Sequence, residues 1–170
     1  TTDTWAENYM DYPSSAKFSH NESVHDEMYE DGIYVGYRYF DSFGVKPLYC
    51  FGYGKSYTDF EIKAGKISVE GNEIQIPVTV KNTGNCTGTE TLQLYIHDIA
   101  ASVVRPVREL KDFKKVTLRP GEEKKVVFTI TEQQLLFLTE NGIYESEAGE
   151  FEIFIGKDSL TDNKASFVLK

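Results

Sequence analysis

Two carboxylates stand side by side at Glu30 and Asp31, with Tyr29 and Tyr34 close by. Aromatic burial raises a carboxyl pKa and can prepare a general acid. Neighbours on an extended chain point apart, however, so this pair is poorly placed to work together on one bond. A structural role suits Glu30 and Asp31 better, and the expected set of catalytic residues is empty. Tyr34, Tyr37, Tyr39, Tyr49, Tyr53 and Tyr57 offer different chemistry. Sugar rings have apolar faces, and tyrosine brings both a flat ring and a hydroxyl. Tyr34, Tyr37 and the neighbouring Arg38 are the candidate sugar contacts. The competing role, which the pattern favours, is to fill a seam against a neighbouring domain with the hydroxyls bonded to backbone. Arg38 would then stack on a tyrosine or pair with Asp41. His20, His25 and Asp26 raise the question of a metal. A spacing of five puts the histidines off a common helical face, and no further His or Cys cluster supports them, so no metal is expected. His97 closes a strand-like run and is expected to be exposed. Lys111, Lys114 and Lys115 are offset by Glu109 and Asp112 and read as a solvated face. No glycine-rich loop leads from a strand into a helix, so no nucleotide or other cofactor is expected.

These tyrosines belong to one segment. Residues 29–60, YEDGIYVGYRYFDSFGVKPLYCFGYGKSYTDF, hold seven of the eleven tyrosines and four of the eleven phenylalanines of the chain. Aromatics at this density need a surface to cover, and the interspersed glycines permit sharp turns and close backbone approach. Linkers are polar or Gly/Ser-rich instead. The segment therefore reads as a strap laid across something large.

The chain of 170 residues has room for one core with an appendage. Its net charge is −9, and both the strap portion and the remainder are acidic. Nucleic acid and anionic membranes would be repelled, whereas neutral partners such as sugars would not. No apolar run reaches the length of a membrane span. The chain opens on Thr1-Thr2-Asp3-Thr4-Trp5 with neither Met nor a signal peptide, which suits a processed or excised piece. Nothing in it selects bacterial cytoplasm over secretion. Cys50 and Cys86 are too sparse for a disulfide framework and read as free thiols. Asn21-Glu22-Ser23 and Asn85-Cys86-Thr87 match the glycosylation acceptor triplet, a pattern short enough to arise by chance.

Beyond residue 57 the pattern changes to period two. Ile74, Ile76, Val78 and Val80 alternate with Gln75, Pro77, Thr79 and Lys81, and the period of two repeats at Leu92, Leu94 and Ile96, then Val126, Phe128 and Ile130, then Phe151, Ile153 and Ile155. Phe167 and Leu169 supply a last strand. Pro77 lacks an N–H, so its strand is expected to be an edge or to bulge there. Turns are expected at Asn82-Thr83-Gly84-Asn85, Arg119-Pro120-Gly121, Asn141-Gly142 and Ala148-Gly149. Only Glu132 to Leu138 could form a helical turn, and Ile33-Tyr34-Val35 reads as a short strand. The fold class is mainly β, an antiparallel β-sandwich with an aliphatic and phenylalanine core. An irregular aromatic-rich strap, without a closed core of its own, precedes it.

At this point a family can be named. YEDGIYVGYRYFD followed by PLYCFGYGKSYTDF resembles the junction of glycoside hydrolase family 3 enzymes, where an α/β sandwich catalytic domain meets a fibronectin type III-like domain. VTVKNTGNCTGTETLQLYIHD, RPVRELKDFKKVTLRPGEEKKVVFTI and AGEFEIFIGKDS continue the likeness, which runs from about Trp5 to the end. WAENYMDYPSS resembles the upstream edge of the junction, notably in β-glucosidases with permuted catalytic domains. Asp31 stands where the family has Glu, Cys50 where Pro is common and Lys55 where Leu is common. The resemblance implies residues 1–57 as the tail of the α/β sandwich domain plus strap, and 58–170 as a fibronectin type III-like, immunoglobulin-like sandwich.

It also implies a parent enzyme that releases terminal non-reducing β-D-glucosyl residues with retention. Such enzymes use a nucleophile and an acid/base carboxylate about 5 Å apart. In the family these come from a barrel domain and from an earlier stretch of the sandwich domain, neither of which is present here. The expected role is therefore non-catalytic: buttressing the missing catalytic domains, which would be its partners, with β-glucosides or oligosaccharides met through the parent. Two alternatives are a carbohydrate-binding module that uses exposed tyrosines and a stand-alone fibronectin-like interaction domain.

Overall fold

The structure, a computed structural model, describes residues 1–15, 30–71 and 73–170. The metal candidates His20, His25 and Asp26, the triplet Asn21-Glu22-Ser23 and Tyr29 lie outside them.

The strap begins and ends with a small ribbon in which β1 (Trp5–Ala6) pairs antiparallel with β2 (Pro47–Tyr49). Between them, among the described residues, lie a 3-10 turn (Tyr9–Asp11) and one short helix, α1 (Tyr37–Phe43). The strand expected at Ile33–Val35 is absent, and α1, which follows it, is not evident from residue preferences. Aromatic residues are mediocre helix formers. Two glycines set the limits instead. Gly36 enters with φ +60°, and Gly44 takes the left-handed conformation at φ +65° while donating its N–H to the Phe40 carbonyl. The helix buries Tyr37 and Phe40, one turn apart.

The remainder is a sandwich of two four-stranded sheets. One contains β3 (Phe60–Ala64), β4 (Ser68–Glu70), β5 (Glu73–Asn82) and β8 (Glu123–Thr131); the other contains β6 (Gly88–Asp98), β7 (Glu109–Leu118), β11 (Gly149–Gly156) and β12 (Lys164–Leu169). Pairing is antiparallel throughout. A turn of helix, α2 (Glu132–Leu135), and a hairpin of β9 (Phe137–Leu138) and β10 (Tyr144–Glu145) join β8 to β11. The hairpin turns at Asn141-Gly142, as expected, with Gly142 at φ +75°, whereas Gly149 already opens β11. Ile74, Ile76, Val78, Leu92, Leu94, Phe128, Ile130, Phe151, Ile153 and Ile155 interdigitate between the sheets. Burial of each such side chain contributes about 1.5–3 kcal/mol before ordering costs.

Pro77 is not on an edge strand, since β5 is flanked on both sides. Along one side its partner changes from β4, which reaches Gln75, to β3, which starts opposite Val78. The Pro77 carbonyl accepts from Gly65 N at 2.7 Å in that gap. The missing N–H therefore falls where the ladder is already interrupted, which is the physical equivalent of an edge. Asn82, read as a turn residue, closes β5 as a buried junction. Its Nδ2 donates to the carbonyls of Cys86 and Leu118, and its Oδ1 accepts from Thr58 Oγ1 at 2.6 Å and from Gly84 N. The end of the strap is thereby tied to the first sheet. Cys50 and Cys86 are free thiols, Cys50 buried and Cys86 exposed.

Candidate functional site

The strap docks on the outer face of the second sheet. Along β6, Leu92, Leu94 and Ile96 face the core, so Gln93 and Tyr95 face outward; both are nevertheless buried. On β11, Phe154 is likewise outward and buried, directly opposite Tyr95. A sheet face carrying such residues needs a cover. Tyr37 of α1 supplies it, with its ring centroid 5.6 Å from that of Tyr95 and 5.2 Å from that of Phe51. Leu110 completes this second apolar cluster, which spans strap and sandwich.

Several polar groups in the seam are paired, while Asp41 Oδ2 and Arg108 Nε are buried without a hydrogen-bond partner among the described residues. Leu110 N donates to the Tyr37 hydroxyl at 2.8 Å. The Tyr95 hydroxyl donates to Gln93 Oε1, and Gln93 Nε2 donates to the Lys157 carbonyl at 2.7 Å. Burial pushes the Tyr37 and Tyr95 hydroxyls above the usual phenol range, so both stay neutral. Backbone contacts run alongside. Ser159 N donates to the Phe51 carbonyl at 2.9 Å, Gly52 N to the Thr1 carbonyl at 2.8 Å, and Val107 N to Ser42 Oγ at 3.1 Å. Gly52 is required where the two surfaces meet. Its φ is +85°, and an added Cβ would lie 2.3 Å from Gln93 Nε2 and 2.9 Å from both Asp158 Cα and the Lys157 carbonyl.

The segment Arg105-Pro106-Val107-Arg108-Glu109-Leu110 forms the docking rim. Arg105 pairs with Asp98 at 3.3 Å and Glu109 at 2.7 Å, and Lys111 also reaches Glu109. Burial pushes the Glu109 carboxyl up, but Lys111 and Arg105 outweigh it and hold it below the usual range. Arg108 lies over the Phe154 ring at 4.2 Å, donates through Nη1 to the Ser159 and Thr161 carbonyls, and faces Asp41 of α1.

Of the sequence candidates, Tyr37 and Arg38 come together and Tyr34 stands apart. Tyr37 is buried in the seam. Arg38 stacks over the Tyr37 ring at 5.6 Å, while the Asp41 considered for it faces Arg108 instead. Tyr34 is half-buried, edge-on to Phe43 with centroids 4.9 Å apart. Tyr49 contacts Trp5 and Tyr53, and Tyr57 is 98% exposed. Glu30 is exposed; Asp31 lines a hollow of about 280 Å³ with Thr4, Tyr9, Tyr12 and Phe40. His97 is half-buried rather than exposed, 3.7 Å from Glu152. The lysine cluster is only partly a solvated face, because Lys114 crosses to the Val127 carbonyl and over the Phe128 ring and Lys111 is engaged with Glu109. Arg108, Gln93, Tyr95 and Phe154 were not among the sequence candidates. Gln93, Tyr95 and Phe154 carry a faint signal, an amide or aromatic side chain at an outward position of β6 or β11, whereas Arg108, which precedes β7, carries none.

The strap also carries apolar side chains that the sandwich leaves uncovered: Trp5, Tyr9, Met10, Ile33, Val35, Phe43 and Leu48 are exposed, more than scattered single residues would supply.

A fibronectin type III-like domain family matches residues 90–159. The chain is 44% identical over 155 residues to thermostable beta-glucosidase B of Acetivibrio thermocellus, which covers 84% of the chain and 20% of that protein. It is 46% identical over 144 residues to beta-glucosidase BoGH3A of Bacteroides ovatus, covering 81% and 19%. Among solved structures, the beta-glucosidase of Kluyveromyces marxianus in complex with glucose superposes with a TM-score of 0.90 at 34% identity, over 99% of this chain and 20% of that one. Beta-glucosidase 3B of Thermotoga neapolitana gives 0.86 at 38% identity, over 98% and 24%. The chain thus spans about a fifth of the length of these relatives. With its sandwich, its strap and the ordered motifs that join them, the chain matches the fibronectin type III-like part of glycoside hydrolase family 3 β-glucosidases.

Proposed function

We propose that this chain is the non-catalytic bracing part of a retaining β-glycosidase whose full polypeptide removes terminal β-D-glucosyl residues. Residues 1–57 complete an α/β sandwich domain and strap, and residues 58–170 buttress the catalytic domains, which are the partners of the exposed strap face. One observation carries this reading. The strap is fastened to the sandwich by Tyr37 and Gly52, and it leaves Trp5, Met10, Val35, Phe43 and Leu48 exposed. A binding module for soluble sugars has no need of so broad an apolar face, whereas a clamp between domains does. The β-glucosidase names of the relatives support the substrate class.

Incubating the pure chain with an aryl β-glucoside tests the assignment. No turnover is expected. Turnover that disappears on Glu30→Gln or Asp31→Asn substitution would overturn it. Titration with β-linked oligosaccharides, followed by Trp5 fluorescence, is expected to be flat; saturable quenching would favour a carbohydrate-binding module centred on the Trp5 and Tyr49 pair.

A further inference from the structure

Asp41 lies on the seam side of α1, and its side chain is 6% exposed. Its Oδ2 is buried without a hydrogen-bond partner among the described residues, 3.8 Å from Arg108 Nε, which also lacks one there. Arg108 is held back from closing that distance. Its Nη1 is bound by the Ser159 carbonyl at 2.6 Å and the Thr161 carbonyl at 2.9 Å, and its guanidinium rests on Phe154. Asp158, in the turn after β11, places a second negative charge near the Asp41 carboxyl. Among the described residues, the Tyr95 hydroxyl on β6 and the Cys50 thiol after β2 also feel the Asp41 charge, and α1 itself carries Tyr37 and Arg38. Burial raises the tyrosine hydroxyls and the thiol, so none of those three adds charge at neutral pH. A buried ion pair stabilises only when its geometry is good and its remaining polar atoms are satisfied. This one meets neither condition.

We propose that docking of the strap is proton-linked: α1 holds the second sheet more tightly when Asp41 is neutral than when it is ionised, so the seam loosens as the pH rises toward neutrality. Burial raises the Asp41 carboxyl from its ordinary 3.8 to about 6, with Arg108 opposing and Asp158 adding. The docked strap therefore binds the proton up to a higher pH than the released strap does. Its extra stability is present at low pH, is lost as the pH rises between those two values, and stays lost above the higher one. Among the described residues the buried polar side chains are Thr4, Ser15, Thr58, Asn82, Gln93 and Ser159, none of which ionises, so the effect is expected at the seam. This inference concerns the strap and the sandwich alone and holds whether or not the parent is a β-glycosidase.

The test is native-state hydrogen exchange on the whole chain at pH 5 and pH 7.5, corrected for intrinsic exchange rates. Amides of α1 and of Cys50–Gly52 are expected to lose protection at pH 7.5 by about tenfold, the equivalent of one pKa unit. Those of β5 and β8 should be unchanged. Asp41→Asn should abolish the difference and leave α1 at pH 7.5 at least as protected as the unsubstituted chain. Asp158→Asn, outside the helix, should reduce the difference without abolishing it. A carboxyl-detected NMR titration of the unsubstituted chain should place Asp41 well above an exposed aspartate. Equal protection at both pH values, greater protection at pH 7.5, or an undiminished pH response in Asp41→Asn would overturn the proposal.

Discussion

The two buried regions of this molecule are built on opposite principles. Between the sheets every large side chain is apolar, and Ile74, Ile76, Phe128, Ile130, Ile153 and Ile155 have no exposed surface. Between strap and sandwich, one tyrosine and three other aromatic or aliphatic side chains surround Tyr37, threaded by an amide, two phenolic hydroxyls and a buried Arg108–Asp41 pair. The first region gains from non-directional apolar burial and tolerates variation that preserves volume. The second depends on directional contacts, any one of which, once broken, leaves a partner desolvated and unpaired. The core should therefore set global stability, while the seam sets where the strap lies.

Phe128→Ala is the strongest way to test the core side of that division. Phe128 has no exposed surface, and emptying its site should cost about 3–5 kcal/mol. Urea denaturation should show strap and sandwich unfolding together at a lower midpoint. Gly52→Ala attacks the seam instead. The clash with Gln93 and the backbone of Lys157 and Asp158, added to a positive φ, should cost about 1–3 kcal/mol. Hydrogen exchange should place the loss in residues 37–53 and leave β5 and β8 at their original protection. If β5 and β8 lost protection to the same degree, strap and sandwich would be one cooperative unit and the distinction would fail.

The division also explains what could be read from the chain. Four inward-facing strands were legible because Ile, Val, Leu and Phe alternate there without interruption. β7, on a sheet margin, was not: Lys111, Asp112, Lys114 and Lys115 mask its period, and only Val116 and Leu118 are buried. α1 escaped because its aromatic composition favours strands, while its limits depend on Gly36 and Gly44. The strap was legible as a covering element from its tyrosines, but its destination was written elsewhere, in Gln93, Tyr95 and Phe154. These three are unremarkable in sequence and acquire meaning only once β6 and β11 are seen to be covered on both faces. Arg108 was hidden in the same way, since its partners are two carbonyls, a ring and an aspartate, all far from it in the chain.

Smaller perturbations sharpen the comparison. Tyr37→Phe keeps the ring packing and removes the acceptor for Leu110 N. A loss of about 1 kcal/mol is expected, seen as faster exchange at Leu110 and in α1 with little change in the urea midpoint. Tyr57→Ser lies at the bottom of the series. At 98% exposure its effect on stability should stay within about 0.5 kcal/mol.

Hydroxyl-radical footprinting tests the central claim most directly, applied to this chain and to the full-length β-glycosidase proposed as its parent. In the chain alone, Trp5, Met10 and Phe43 should label rapidly while Tyr37, Tyr95 and Phe154 remain protected. In the parent, the first group should become protected and the second should stay as it was. Rapid labelling of Tyr37, Tyr95 and Phe154 in the chain alone, or undiminished labelling of Trp5, Met10 and Phe43 in the parent, would contradict the account.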